Sequence, residues 1–175
     1  TEGTRALIAI QRSILAAAKP VVVVLGGPVR AGGLGIVGAA DIVLAAESVN
    51  FALTEVRLGL APAVISASLL TRMTERAASE LFLTARKFDA LEAAAVGLVT
   101  RVVSDAELGE ALETVLADLR QAHPQGLGET KALLNADVIA RLDDRAEGLA
   151  ELSARLFASD GAREAMLAFL SRPKG

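Results

Sequence analysis

Apolar and polar positions change their period along the chain, and each change marks an element. Over residues 4–18, Leu7, Ile8, Ile10, Ile14 and Leu15 fall at helical spacing. Lys19-Pro20 ends that helix, because the residue before a proline is pushed out of the helical region. Val21–Leu25 is an unbroken apolar run rich in valine, the pattern of a strand buried on both faces. A glycine-rich turn over 26–33 leads to a brief buried helix over 34–40, and Ile42–Ala45 and Val49–Ala52 read as short strands. "LTEVRLGLAPAVIS", 53–66, is a loop around Gly59 and Pro62, with helical patterns over 63–73, 75–84 and 89–95. Gly97 closes the last of these, Leu98–Val103 is a further strand, and Ser104 with Glu107 carries a capping-box signature.

Beyond residue 104 the pattern is helical only, over 105–121, 126–138, 141–158 and 161–170, with breaks at His123-Pro124 and Asp160-Gly161. Strands alternate with helices before that point. The expected architecture is therefore α/β with parallel strands over 1–103 and an all-helical extension over 104–175. Four short strands are too few for a sheet layer covered by helices, so further strands of the same domain are expected before Thr1.

Composition narrows the chemistry. At 53% hydrophobic and 22% charged, the chain of 175 residues has the make-up of an ordinary globular protein with a sizeable core. Much of the apolar content is alanine and valine, so close backbone approach should matter more than bulky anchors. The net charge is −3 with both signs interspersed, and no basic stripe with aromatics is present, which argues against nucleic acid as a partner. The absence of cysteine excludes thiolate chemistry in this sequence, and a single histidine, His123, excludes a multi-histidine metal site. The most apolar stretch, 20–46, is broken by Pro20, Pro28, Arg30 and Asp41, so no membrane span is expected, and the default compartment is the cytoplasm.

"AGGLGIVGAAD", 31–41, holds Gly33-x-Gly35-x-x-Gly38, the spacing of a dinucleotide fingerprint. That motif needs its first glycine at a strand end and a long helix after it. Here Gly33 lies eight residues past Leu25, and the helix must end before the strand at Ile42, so the match is accidental. Two other roles remain. A turn entering a short helix presents unpaired amides and partial positive charge, which suit an anion or a carbonyl oxygen that becomes one. Alternatively, the glycines let a buried helix pack closely.

The motifs resemble those of the crotonase, or enoyl-CoA hydratase/isomerase, superfamily. "KPVVVVLGGPVRAGGLGIVGAADIVLAAES", 19–48, looks like the family's strand, glycine turn, short helix and next strand; "NFALTEVRLGLAPA", 50–63, resembles its second motif. "LFLTARKFDALEAAAVGLVTRVV", 81–103, resembles the approach to the last core strand, and "TKALLN", 130–135, with "LFASDGAREAMLAFLSRPKG", 156–175, the trimerisation helices.

The resemblance implies a spiral of ββα units, a homotrimer or dimer of trimers, and an acyl-CoA thioester substrate, with coenzyme A as part of the substrate and no further cofactor or metal. It implies that the Gly32 amide is one of two that hold the thioester oxygen, the other lying in an upstream loop this sequence does not contain; this chain alone is then expected to be inactive. Glu55 matches a family glutamate that handles protons, whereas Gly35 stands where the family's other glutamate would be. The plain alternative for Glu55 is a helix-start residue near Arg57 on a solvated face. Gly33, Arg30 and Pro62 are the candidate substrate contacts; Arg30 is equally suited to pair with Asp41 or a C-terminal acid. Lys131 and Lys174 are candidate phosphate contacts, set against simple solvation. An enoyl-CoA hydratase is the first expectation. An isomerase working with one glutamate, or an acyl-CoA binder without turnover, are the alternatives.

Overall fold

The computed structural model describes residues 2–171. Lys174 and the final stretch of the "LFASDGAREAMLAFLSRPKG" motif lie outside them. The chain opens with helix α1 (Glu2–Ala16), then β1 (Val22–Leu25), β2 (Val29–Arg30), the short α2 (Gly32–Ala39), β3 (Ile42–Ala46) and β4 (Asn50–Ala52). A 3-10 turn over Glu55–Leu58 precedes α3 (Ala63–Leu69), α4 (Glu75–Thr84), β5 (Phe88–Asp89), α5 (Ala90–Ala95) and β6 (Arg101–Val103). The rest is helical: α6 (Leu108–Arg120), α7 (Pro124–Phe157) and α8 (Asp160–Leu170).

The strands form two small sheets. One is parallel, in the order β1-β3-β6, with Val22 opposite Ile42 and Leu44 opposite Arg101. The other has β4 between β2, which runs parallel to it, and β5, which runs antiparallel. The valine run and "IVLAA" become neighbours because both are apolar on two faces and must be covered by helices. Phe51 and Phe88 stack at 5.3 Å between ring centroids, joining β4 to β5. The main core gathers Leu34, Val37, Phe51, Leu53, Leu69 and Leu81. A second cluster joins α1, α3 and α7 through Ile8, Leu15, Val64, Val138 and Leu142.

Three expectations are corrected. Helices over 126–138 and 141–158 are one helix of 34 residues, because no proline or glycine interrupts 137–147 and Val138 and Leu142 continue the buried stripe one turn apart. It also starts earlier, with Pro124 in its first turn and the His123 ring Nδ1 accepting from the Gln125 amide at 3.2 Å, so the lone histidine is a helix cap. The strand expected over Leu98–Val103 begins only at Arg101, since the amides of Leu98 and Val99 both reach the Ala93 carbonyl. The Ser104–Glu107 pair is as expected: the Glu107 carboxylate accepts from the Ser104 amide at 3.3 Å and hydroxyl at 2.6 Å.

Lys131 is not a free surface cation. Its ammonium is buried, donating to the carbonyls of Ile14 at 2.7 Å and Lys19 at 2.9 Å and pairing with Asp41 at 2.8 Å. Asp41 also accepts from the Val21 amide at 2.7 Å and the Asn135 side chain at 3.1 Å. This knot ties α7 to the end of α1 and the start of β1.

Candidate active site

The glycine turn places a strained peptide at the mouth of α2. Ala31, the residue before the helix, has φ 46° and ψ −128°, a region that residues with a Cβ rarely adopt. Gly32 follows as the first helical residue, and its amide belongs to the set that a helix leaves unsatisfied. A Cβ at Gly32 would sit 3.1 Å from Leu7 Cδ2, so the backbone is close against α1.

Glu55 starts the 3-10 turn. The turn ends at Gly59, whose φ of 69° suits glycine, and its chain reverses as the Leu60 amide bonds the Glu55 carbonyl at 3.0 Å. A Cβ at Gly59 would meet the Gly161 carbonyl at 3.0 Å and Ala162 Cα at 3.1 Å, so α8 packs directly under this turn. Glu55 Oε2 is buried with no hydrogen-bond partner among the described residues. Burial raises the carboxyl pKa above its ordinary value, only partly offset by a hydrogen bond from its own backbone. Arg57 does not pair with it; that guanidinium donates to the Thr84 carbonyl at 3.2 Å. Of its apolar neighbours in sequence, Leu58 lines the cavity beside it, whereas Leu53 is in the core and Val56 is exposed.

Gly32, Glu55 and Pro62 line one cavity of about 350 Å³. Leu7, Leu58, Leu60 and Ile65 make its apolar walls, with Phe157 from the end of α7 and Met166 from α8. Gly33 and Arg30 are not among the residues lining it. The Arg30 guanidinium donates to the carbonyls of Val29 at 2.7 Å and Asn50 at 2.8 Å and to the Asn50 side chain, while Asp41 pairs with Lys131 instead.

The wall at Gly35 is closed. A Cβ there would sit 2.9 Å from Ile65 Cγ2 and 3.1 Å from Gln11 Cδ. A side chain at this position would have to displace the side chains of Ile65 and Gln11. Gln11 escaped the sequence reading. The signal was a polar residue interrupting the stripe Leu7–Gln11–Leu15 at four-residue spacing.

With the fold and cavity defined, comparison with known proteins is decisive about kinship. The enoyl-CoA hydratase/isomerase family matches residues 3–175, and the chain belongs to that family. An enoyl-CoA hydratase structure from Mycobacterium avium superposes with a TM-score of 0.92 at 48% identity, over 97% of this chain and 66% of that one. Enoyl-CoA hydratase ACTT6 of Alternaria alternata is 36% identical over 134 residues, 76% of this chain and 45% of that protein. Carnitinyl-CoA dehydratase of Salmonella typhi is 33% identical over 119 residues, 67% of this chain and 46% of that protein. The chain spans about half the length of these curated relatives. The two sheets and the long C-terminal helices are thus those of the α/β crotonase fold. No helix among the described residues is long and apolar enough to cross a membrane.

Proposed function

We propose that the protein is an enoyl-CoA hydratase in which the Gly32 amide polarises the thioester carbonyl and Glu55 is the acid and base. The observation that carries this reading is the pairing, around one apolar cavity, of a helix-start amide with a half-buried carboxyl whose Oε2 is buried without a hydrogen-bond partner among the described residues. Leaving that oxygen unpartnered costs stability, a cost that a role in a reaction accounts for. Its raised pKa suits both halves of the proton work. In the addition step Glu55 takes a proton from water as the water oxygen bonds the β-carbon, and the double-bond electrons move to the thioester oxygen at the Gly32 amide. The enolate then collapses as Glu55 returns the proton to the α-carbon. The name of the Salmonella relative, a dehydratase, fits the same chemistry run in reverse.

The closed wall at Gly35 favours a second reading, a double-bond isomerase, because one carboxylate suffices to remove a proton from one carbon and return it to another. The exposed apolar side chains Leu133, Leu134, Leu167, Phe169 and Leu170 support a homotrimer or dimer of trimers built through α7 and α8.

The test uses the full-length gene product, wild type beside Glu55→Gln, with a 2-enoyl-CoA and a 3-enoyl-CoA. Hydration that collapses in the variant supports the first reading. Double-bond movement without water uptake supports the second. Tight acyl-CoA binding with turnover of neither substrate makes the protein a binder, and no acyl-CoA binding overturns the assignment.

A further inference from the structure

We infer that Gln11 is a positioning residue for the Gly32 amide, acting through a latch that locks α1, α2 and α3 in one register. The inference rests on the reading that this amide holds the thioester oxygen. Gln11 is completely buried, although a carboxamide away from water is costly unless its groups are bonded. Its Nε2 donates to the Leu7 carbonyl of α1 at 3.3 Å and to the Val64 carbonyl of α3 at 3.2 Å. Its Oε1 accepts from Ser68 Oγ at 2.7 Å, and that hydroxyl also lies 3.3 Å from the Gly35 carbonyl of α2. Three helices thus meet at one side chain and its partner.

The latch sits one helical turn from the strained peptide at both of its supports. On α1, Leu7 precedes Gln11 by four residues and presses on Gly32 at 3.1 Å from the Cβ position. On α2, Gln11 Cδ lies 3.1 Å from the Cβ position of Gly35, three residues after Gly32. The positive φ of Ala31 persists only if its surroundings over-determine it. Hydrogen bonds of fixed direction specify that register, whereas an all-apolar contact of the same volume permits sliding. Gln11 touches no reacting atom; it sets where the donor points.

Infrared spectroscopy of bound hexanoyl-CoA, labelled with carbon-13 at the thioester carbonyl, reads the donor directly. In the wild-type full-length protein the carbonyl band moves to lower frequency than in free hexanoyl-CoA. In Gln11→Met and in Ser68→Ala the band returns toward the free position, and kcat falls on the order of tenfold with little change in KM. Ser68→Ala removes a single oxygen and decides the matter where Gln11→Met fails to fold. A wild-type shift that stays unchanged in a folded variant overturns the role of Gln11 alone. A wild-type protein that binds hexanoyl-CoA with no shift overturns the role of the Gly32 amide, and this inference with it.

Discussion

Ile65 stands over Gly35, its Cγ2 2.9 Å from the point where a side chain at residue 35 would begin. Introducing a glutamate by Gly35→Glu is therefore not expected to build a two-carboxylate site. The new Cβ overpacks Ile65 and Gln11, and the carboxyl enters a buried wall, for a combined loss of roughly 3 kcal/mol or more. Chemical denaturation measures the loss; a variant as stable as wild type with faster hydration would show that the wall yields.

Glu55 makes stability fall as pH rises. Its folded pKa lies above the unfolded one because of burial, so the folded state holds its proton to higher pH. Stability contributed by the protonated form is complete below the unfolded pKa and declines as pH climbs through the raised folded value. Glu55→Gln removes this decline. The variant is expected to melt higher than wild type near neutral pH and to match it under acid conditions, as thermal melts across pH will show. The basic form is the one that accepts a proton, so kcat/KM rises with pH through the same raised value, and Glu55→Gln abolishes that limb.

Arg30 holds the turn rather than lining the cavity, through the Val29 and Asn50 carbonyls and the Asn50 side chain. Arg30→Met is expected to cost roughly 1–3 kcal/mol of stability. Acyl-CoA affinity of the folded variant stays within about twofold of wild type, an effect below half a kcal/mol. Calorimetric titration with an acyl-CoA checks it, and a large drop in affinity would return Arg30 to the substrate.

Lys131→Met strips the cation from Asp41 while leaving the carboxylate beside the Val21 amide and Asn135. Breaking a buried pair on one side costs roughly 3–5 kcal/mol. Adding Asp41→Asn to Lys131→Met should recover part of the loss. A double-mutant cycle measured by denaturant melts gives the coupling, and strict additivity would mean the two side chains act independently.

The two ends of the candidate site were legible in the sequence, and what lies between them was not. Gly32 and Glu55 sit at turns whose residues carry their own signals, a glycine-rich helix start and an acidic residue opening a turn closed by Gly59. The strands β1 and β3 were equally plain, being unbroken apolar runs. The two-residue strands β2 and β5 show no period, and only pairing with β4 defines them. Arg30 finds Asn50 and Asp41 finds Lys131 across 20 and 90 residues, distances over which charge alone does not select a partner. Gln11 was obscured because an isolated polar residue on an apolar stripe has no visible partner until α3 folds beside it.

The contact between Gly59 and α8 orders events in time. The turn that presents Glu55 rests on Gly161 and Ala162, which are synthesised about a hundred residues later. The turn that carries Glu55 therefore lacks this support until α8 has been made. Met166 joins the cavity wall only once that helix has docked.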